Sequence, residues 1–142
     1  MFQWSNPKGV NLDSPYLYYI RIRSDNLEYR YVGKASNKSR LDEYPRNVEK
    51  ILKGMPRRPE TKRDGKPQSK GNLRYRYVHL VLSAAVQNNW LVEHYPLENV
   101  AKDDLNTREI EVIVSLKCNM NEKGTWAIAE HEKLLSDLVN SG

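Results

Sequence analysis

The sequence lacks several features that would point to particular classes of protein. It has a single cysteine, Cys118, in 142 residues, so an intramolecular disulfide and a cysteine-rich zinc site are both excluded. No apolar run approaches the ~20 residues that span a bilayer, and the first 15 residues lack the basic start and the apolar stretch of a secretory signal. We therefore expect a single cytoplasmic domain with no membrane segment.

Two common catalytic patterns are missing as well. The glycines do not form the G-x-x-x-x-G-K-S/T loop that cradles phosphates in nucleotide-binding proteins. The three histidines, His79, His94 and His131, show no metal-ligand spacing such as H-x-x-x-H. We interpret all three as structural or surface residues, and Cys118 as a small core residue near a helix end.

The sequence does contain positive charge that is concentrated in one segment. The chain carries a net charge of +5, whereas the stretch 46–76 has eleven Lys or Arg against three acidic residues, a net of +8. Such a segment is typical of a phosphate-binding surface, and charge alone is equally compatible with a solvated loop. We predict that nucleic acid binds to Arg57, Arg58, Lys62, Arg63, Lys66, Lys70, Arg74 and Arg76.

Hydrophobic patterning predicts one α+β domain over residues 1–142, in which helices flank a three-stranded antiparallel sheet. Residues 16–23 and 28–33 are rich in Tyr, Ile and Val and are separated by Ser, Asp and Asn, which predicts a β-hairpin. A third strand is predicted at 90–95 and should be closed by Pro96.

The remaining segments predict helices and one long insertion. A first helix should be stopped or kinked by Pro45 and followed by a short helix through Leu52. The basic insertion at about 54–72 is rich in Pro and Gly, so we expect a mobile loop. Further helices are predicted from Leu73, after Asp103 or Asp104, and at about 125–139 with Thr125 as the cap.

Glu109 is the most informative single residue. It follows Leu105 by four residues and precedes Val112 by three, so helix geometry places its carboxylate beside the apolar stripe. A carboxylate there is costly unless it meets a cation or hydrogen-bond donors. A divalent metal would satisfy it, and so would an ion pair with a neighbouring Arg or Lys, which the helix alone favours. Glu111 should face solvent.

The aromatic residues are also unusual, with nine tyrosines and one phenylalanine. Tyr18 and Tyr31 lie in the two strands of the predicted hairpin, and Tyr31 is followed closely by Gly33 and Lys34. Tyrosines suit strands for packing reasons, but they also keep a polar group where phenylalanine would not.

Taken together, these residues resemble the GIY-YIG nuclease family over roughly residues 16–121. The resemblance is carried by the segments Tyr16-Leu17-Tyr18-Tyr19-Ile20, Tyr31-Val32-Gly33-Lys34-Ala35 and Arg40-Leu41-Asp42-Glu43-Tyr44, with a glutamate on a later helix. The family positions correspond to Tyr18, Tyr31, Gly33, Arg40, Glu109 and Asn121, with Asn119 as the alternative asparagine.

The resemblance implies a metal-dependent endonuclease that cuts DNA rather than RNA. Glu109 would hold one Mg²⁺ or Mn²⁺ and Arg40 would stabilise the charge of the transition state. Tyr18 would be the general base, with Lys34 lowering the pKa of its phenol.

The resemblance further implies that Tyr31 orients water or phosphate and that Tyr44 reaches the same phosphate. Many relatives rely on an attached DNA-binding domain, so recognition here should come from the basic insertion, the C-terminal extension or a second subunit. A homo-oligomer is expected, because two cuts in a duplex need two active sites or a reorientation of one. The alternatives are a non-catalytic nucleic-acid-binding protein and an inhibitor that binds another protein.

Overall fold

The computed structural model describes residues 1–121 and 124–141. It confirms the α+β class and the three-stranded antiparallel sheet with helices beside it. The elements in chain order are β1 (Tyr16–Arg23), β2 (Glu28–Ala35), α1 (Ser39–Leu52), α2 (Lys70–Leu73), β3 (Tyr75–Arg76), α3 (Tyr77–Asn88), β4 (Leu91–Asn99), α4 (Leu105–Ser115), β5 (Thr125–Trp126) and α5 (His131–Ser141).

The main sheet has the strand order β2-β1-β4, with both neighbouring pairs antiparallel. Because side chains alternate across a strand, β1 buries residues on both faces. Tyr18 and Ile20 belong to the larger cluster with α1 and α3, while Leu17 and Tyr19 pack with Val112 of α4. The sheet is therefore a central layer, and the ends of β1 and β2 lie between the two groups of helices.

Helix α1 is continuous through Pro45, which corrects the expected stop and the separate short helix. Proline removes one helical hydrogen bond. The apolar side chains Leu41, Tyr44, Val48 and Ile51 are all buried against the core. Their packing along the full length of α1 outweighs the local loss at proline.

Strand β4 also continues through its proline. Pro96 is buried opposite Tyr18, where the pairing of β1 with β4 shifts register between Leu17 and Tyr18. A proline is tolerated there because β4 is an edge strand and needs no second ladder of N–H donors. The expectation that Pro96 closes the strand is therefore wrong.

The basic insertion, predicted to be a mobile loop, contains some local hydrogen-bonded structure. Thr61 pairs with Pro67 in an isolated bridge, and Lys62 N–H donates to the carbonyl of Lys66 at 2.8 Å. Beyond it, α3 begins at Tyr77 rather than at Leu73, because β3 intervenes.

The C-terminal region differs from its prediction at its start. Thr125 does not cap a helix but pairs with Arg76 in the small sheet of β3 and β5, and the last helix runs over His131–Ser141. A 3-10 turn at Ile128–Glu130 connects the two. The cause is long-range: the Thr125 hydroxyl accepts a 3.0 Å hydrogen bond from Arg74, which no local pattern encodes.

Two asparagine side chains bind the outer edge of β2. Asn119 accepts from the backbone N–H of Arg30 at 2.8 Å and donates to the carbonyl of Glu28 at 2.9 Å. Asn121 donates to the carbonyl of Val32 at 2.9 Å. These amides fix the segment after α4 against the sheet.

Within the described part of the chain, no helix has both the length and the apolar character needed to cross a membrane.

Candidate functional site

A polar cleft of about 350 Å³ opens where the hairpin meets α1, α3 and α4. It gathers residues from seven parts of the chain. Its lining is Tyr18, Tyr31, Gly33, Lys34, Arg40, Arg76, Tyr77, Glu109, Met120, Asn121, Gly124 and Thr125. The structure thus brings together most of the residues that the sequence proposes for catalysis, and it adds Arg76, which the sequence proposes only for DNA binding.

Tyr18 and Tyr31 line the inner wall of the cleft, and Tyr44 packs behind them. We call these three residues the tyrosine cluster. Their rings pack mostly edge to face, with centroids 5.6 Å apart for Tyr18 and Tyr44 and 6.4 Å apart for Tyr31 and Tyr44. The hydroxyl oxygens of Tyr18 and Tyr44 are 2.5 Å apart. Burial raises the pKa of both phenols above the ordinary value.

Tyr44 does not reach the cleft, which corrects its predicted role. It is absent from the residues that line the cleft, and its hydroxyl is occupied inside the tyrosine cluster. A phosphate in the cleft therefore cannot contact it directly. Its position makes it a partner of Tyr18 instead.

Arg76 provides the positive charge of the tyrosine cluster. Its Nη1 donates to the Tyr31 hydroxyl at 2.9 Å, and its Nη2 donates to the Tyr44 hydroxyl at 3.4 Å. The guanidinium carbon lies 5.8 Å from the centre of the Tyr31 ring, within the range of a cation–π interaction.

Two buried histidines support the cluster from behind. His79 stacks on Tyr44 at 5.2 Å, and its Nδ1 accepts a 3.2 Å hydrogen bond from the backbone N–H of Arg76. His94 packs edge-on against Tyr18 and Tyr44. Burial lowers the pKa of both imidazoles, so each is neutral near pH 7. His131 is buried too, and the structural interpretation of the three histidines fits better than the surface one.

Glu109 lies on the opposite side of the cleft, on α4. Its side chain is 20% exposed and its carboxylate is 4.0 Å from the ammonium of Lys34. Burial raises the pKa of this carboxyl, while Lys34 and Arg76 oppose that shift. The ion pair that the helix pattern favoured is therefore present in a loose form, and the carboxylate still faces the cleft.

Lys34 is turned away from the phenol that it was predicted to activate. Its ammonium contacts the side-chain oxygen of Asn106 as well as Glu109, both on α4. The positive groups that lower the pKa of Tyr18 are Arg76 and Arg40. Lys34 follows Gly33, the residue opposite Tyr18, so strand alternation places the Lys34 side chain on the α4 face of the sheet. The predicted effect of Lys34 on Tyr18 is therefore wrong.

Arg40 projects from the first turn of α1 into the cleft. Its side chain is 43% exposed, and its guanidinium forms an ion pair of 3.2 Å with Glu43, one turn further along the helix. An exposed pair of this kind holds the side chain only weakly. Arg40 can therefore exchange Glu43 for another anion at little cost in free energy.

Of the two candidate asparagines, Asn121 lines the cleft and Asn119 does not. Both amides are engaged by the backbone of β2, so their common contribution is to fix that strand.

The predicted DNA-contact residues divide into two groups. Two of them are used inside the protein: Arg57 donates to the carbonyl of Arg74 at 2.8 Å, and Arg74 donates to the carbonyl of Thr125 at 2.7 Å. Arg76 also has partners inside the protein. Three of the predicted DNA-contact arginines are therefore engaged within the fold. The members that extend from the exposed insertion are Arg58, Lys62, Arg63, Lys66 and Lys70.

Two further hollows extend the basic surface beyond the cleft. One shares Lys34 and Arg40 with the cleft and continues to Lys102. The other is lined by basic residues of α1 and of the insertion, including Lys50 and Arg58. The three hollows make a surface along which a phosphate backbone could lie.

The fit of a divalent ion can be judged from the donor set at Glu109. Among residues 1–121 and 124–141, no three His, Cys, Asp or Glu side chains are close enough to enclose a metal. Mg²⁺, however, commonly binds through one or two carboxylates and completes its shell with water and substrate phosphate. A single half-buried carboxylate that faces an open cleft fits that mode of binding.

Sequence reasoning missed the central place of Arg76, and one signal could have found it. Arg76 comes just before the apolar helix α3, whereas the other predicted DNA-contact residues lie among prolines and glycines or directly after them. A basic residue at the start of a buried helix is held close to the core, where it can serve buried polar groups.

Fold and site together define a small α+β protein with an open cleft in which phenols, guanidinium groups and one carboxylate converge. No family model, no curated protein and no solved structure matches the chain.

Proposed function

We propose that the protein is a metal-dependent endonuclease of the GIY-YIG type, which hydrolyses phosphodiester bonds in DNA. The observation that carries the proposal is the composition of the cleft. It collects Tyr18, Tyr31, Arg40, Glu109 and Asn121, which are widely separated in the chain. A β-hairpin that precedes the first helix supports the same proposal.

Glu109 would hold the divalent ion. Mg²⁺ or Mn²⁺ bound there would withdraw charge from the scissile phosphate and stabilise the leaving oxygen. The burial that raises the pKa of Glu109 also makes a nearby cation favourable. Lys34 would hold the carboxylate in place when the metal is absent, since its ammonium is 4.0 Å away.

Arg40 would stabilise the negative charge that builds on the phosphate. Its planar guanidinium can bind two phosphate oxygens at once. The exposed pair with Glu43 would be exchanged for the substrate. The charge on these oxygens is greatest in the transition state. Arg40 should therefore raise the rate of cleavage more than the affinity for DNA.

The proton of the attacking water would go to Tyr18, with the Tyr31 hydroxyl orienting the water. As that proton leaves, the electron pair of the O–H bond forms the new P–O bond, and the P–O bond to the leaving oxygen breaks. Tyr18 must first be a phenolate, and burial makes that form costly. A donor or a positive charge near the phenol is therefore required.

Nicking of supercoiled plasmid tests the proposal. The protein should nick DNA with Mg²⁺ or Mn²⁺ and not with EDTA, and Glu109→Gln should abolish nicking without loss of folding. Glu111→Gln is the matched control, because Glu111 pairs with Arg108 on the exposed side of the same helix.

The rival functions predict other outcomes in the same experiment. Plasmid binding without nicking in any metal would favour a non-catalytic nucleic-acid-binding protein. Neither binding nor nicking would favour an inhibitor that acts on another protein. Parallel incubation with single-stranded RNA separates a ribonuclease from a deoxyribonuclease.

A further inference from the structure

The hydrogen bonds of the tyrosine cluster favour one direction. A guanidinium has N–H donors and no acceptor, so the hydroxyl oxygens of Tyr31 and Tyr44 both accept from Arg76, at 2.9 and 3.4 Å. The hydroxyl oxygens of Tyr44 and Tyr18 are 2.5 Å apart, and either can be the donor. Because Tyr44 already accepts from Arg76, the arrangement favours donation from Tyr44 to Tyr18.

The last residue in this chain of hydrogen bonds, Tyr18, is one that lines the cleft. Tyr44 is buried away from the cleft, whereas Tyr18 contributes to the cleft wall. When Tyr44 donates to Tyr18, the phenolate form of Tyr18 gains a hydrogen bond that the neutral form does not need. The positive charge of Arg76 polarises that bond from the far side.

We propose that Arg76 is a positioning residue that fixes this direction and thereby stabilises the phenolate of Tyr18. The inference rests on the proposed nuclease function and extends it. It gives Arg76 the role that the sequence assigned to Lys34. It also removes Arg76 from the residues that contact the DNA backbone.

The surroundings of Arg76 hold it in this position. Its backbone N–H is bound by Nδ1 of His79, and the same imidazole stacks on the ring of Tyr44. The buried side chain of His79 thus fixes both the backbone of Arg76 and the ring of Tyr44. Arg76 is also the last residue before α3, so its main chain cannot shift without moving that helix.

Lys34 cannot take this role in the observed arrangement. Its ammonium lies with Asn106 and Glu109 on the opposite wall. Burial raises the pKa of Tyr18, and the cations that oppose the shift are Arg76 and Arg40. Arg40 is in turn paired with Glu43, which leaves Arg76 as the cation joined to Tyr18 through hydrogen bonds.

Kinetics of plasmid cleavage test the role. Arg76→Met should lower kcat roughly a hundredfold, in the range for general base catalysis, with KM for DNA unchanged. The slope of log affinity against log salt should also stay unchanged. Arg76→Lys should recover part of kcat, because an ammonium also donates without accepting. Arg23→Met, which removes an exposed arginine at the end of β1, is the control.

We call the hydrogen-bond path from Arg76 through Tyr44 to Tyr18 the relay. A double-mutant cycle tests it. If Arg76 acts through Tyr44, the loss in kcat for Arg76→Met combined with Tyr44→Phe should be close to the loss for either change alone. Additive losses would overturn the relay. A higher KM together with a flatter salt slope and an unchanged kcat would show that Arg76 is a phosphate contact.

An NMR measurement on protein labelled with ¹³C at tyrosine Cζ does not depend on cleavage. The Tyr18 resonance should shift in Arg76→Met and in Tyr44→Phe, and stay in place in Lys34→Met. A shift in Lys34→Met alone would overturn the inference. If Arg76→Met does not fold, the chemical shift of Tyr18 in Arg76→Lys and in Tyr44→Phe provides the test. Should the wild-type protein cut no DNA, the proposed function fails, and the spectrum still reports on the relay.

Discussion

The ring of Tyr18 lies against the backbone of Gly33, the residue directly opposite it in the β-hairpin. A Cβ atom at residue 33 would collide with the hydroxyl oxygen and with Cζ of that ring. The glycine therefore provides space, which lets the ring cross β2 and bring its hydroxyl to Tyr44.

Gly33→Ala should displace Tyr18 and weaken both the fold and cleavage. The ring is fully buried, so the added methyl group can be accommodated only by shifting packed atoms. Overpacking of this kind costs roughly 1–3 kcal/mol, measurable by urea unfolding. Gly71→Ala is the control, because a Cβ there meets no atom within 4 Å. Equal unfolding free energies for the two variants would contradict the close contact.

Arg40→Ala should abolish turnover while lowering DNA affinity only modestly. Removal of one donor to a developing oxyanion typically costs roughly 10²–10³ in rate. Arg40→Lys keeps the charge and loses the planar fork, and it should fall in between. The measurement is a single-turnover rate beside a binding curve. Weaker binding with an unchanged single-turnover rate would mean that Arg40 serves affinity alone.

The basic insertion should carry much of the salt dependence of DNA binding. Each lost phosphate contact should flatten the plot of log affinity against log salt by about 0.9 for duplex. The test variant changes the exposed residues Arg58, Lys62, Arg63 and Lys66 to serine, and leaves Arg57 in place because it binds the carbonyl of Arg74.

The control for this measurement removes four charges elsewhere on the surface. It changes to serine the exposed residues Lys8, Arg23, Lys117 and Lys133. Both variants should remain folded, since none of these side chains is buried. If the two slopes fall by the same amount, the insertion is a solvated spacer and the contact surface lies elsewhere.

Stability should fall when the pH is lowered from about 6.5 toward 4, in part because of His94. Burial lowers the pKa of this imidazole to about 4 in the folded protein, against a small opposing effect of Asp42. In the unfolded chain the pKa is about 6.5, so the unfolded state takes up the proton first. One such group gives a slope of up to about 1.4 kcal/mol per pH unit.

Urea unfolding at several pH values measures this slope. His94→Gln should unfold with a shallower dependence on pH than the wild-type protein, although His79, with a lowered pKa of its own, keeps part of the slope in both. Identical slopes for the two proteins would show that His94 does not titrate as described.

The sheet and α4 could be predicted from the sequence because their signals are local and strong. The hairpin follows from two Tyr- and Ile-rich runs around a turn, and both strands occur as predicted, with β2 extending to Ala35. The place of Glu109 beside an apolar stripe follows from spacing alone. The residues that line the cleft depend on which helices and strands pack together. Only the family resemblance indicated that arrangement.

The failures have a common physical cause in long-range contacts. Pro45 remains inside α1 because buried side chains on both sides hold the helix. The N-terminal segment has no helix or strand, yet it packs Phe2 and Trp4 onto the core, and the indole of Trp4 donates to Asp42 at 2.8 Å. Arg76 likewise meets residues 32 and 45 positions away in the chain. Local periodicity carries no information about such pairs.

The amides of Asn119 and Asn121 have a consequence for the behaviour of the protein in concentrated solution. β2 forms one border of the sheet, and an exposed border strand is a template for strand addition by a second molecule. The two asparagines occupy outward-facing backbone groups of residues 28, 30 and 32. The amides take the hydrogen bonds that a neighbouring strand would make. They therefore block this edge from pairing with a second molecule and oppose fibrillar self-association.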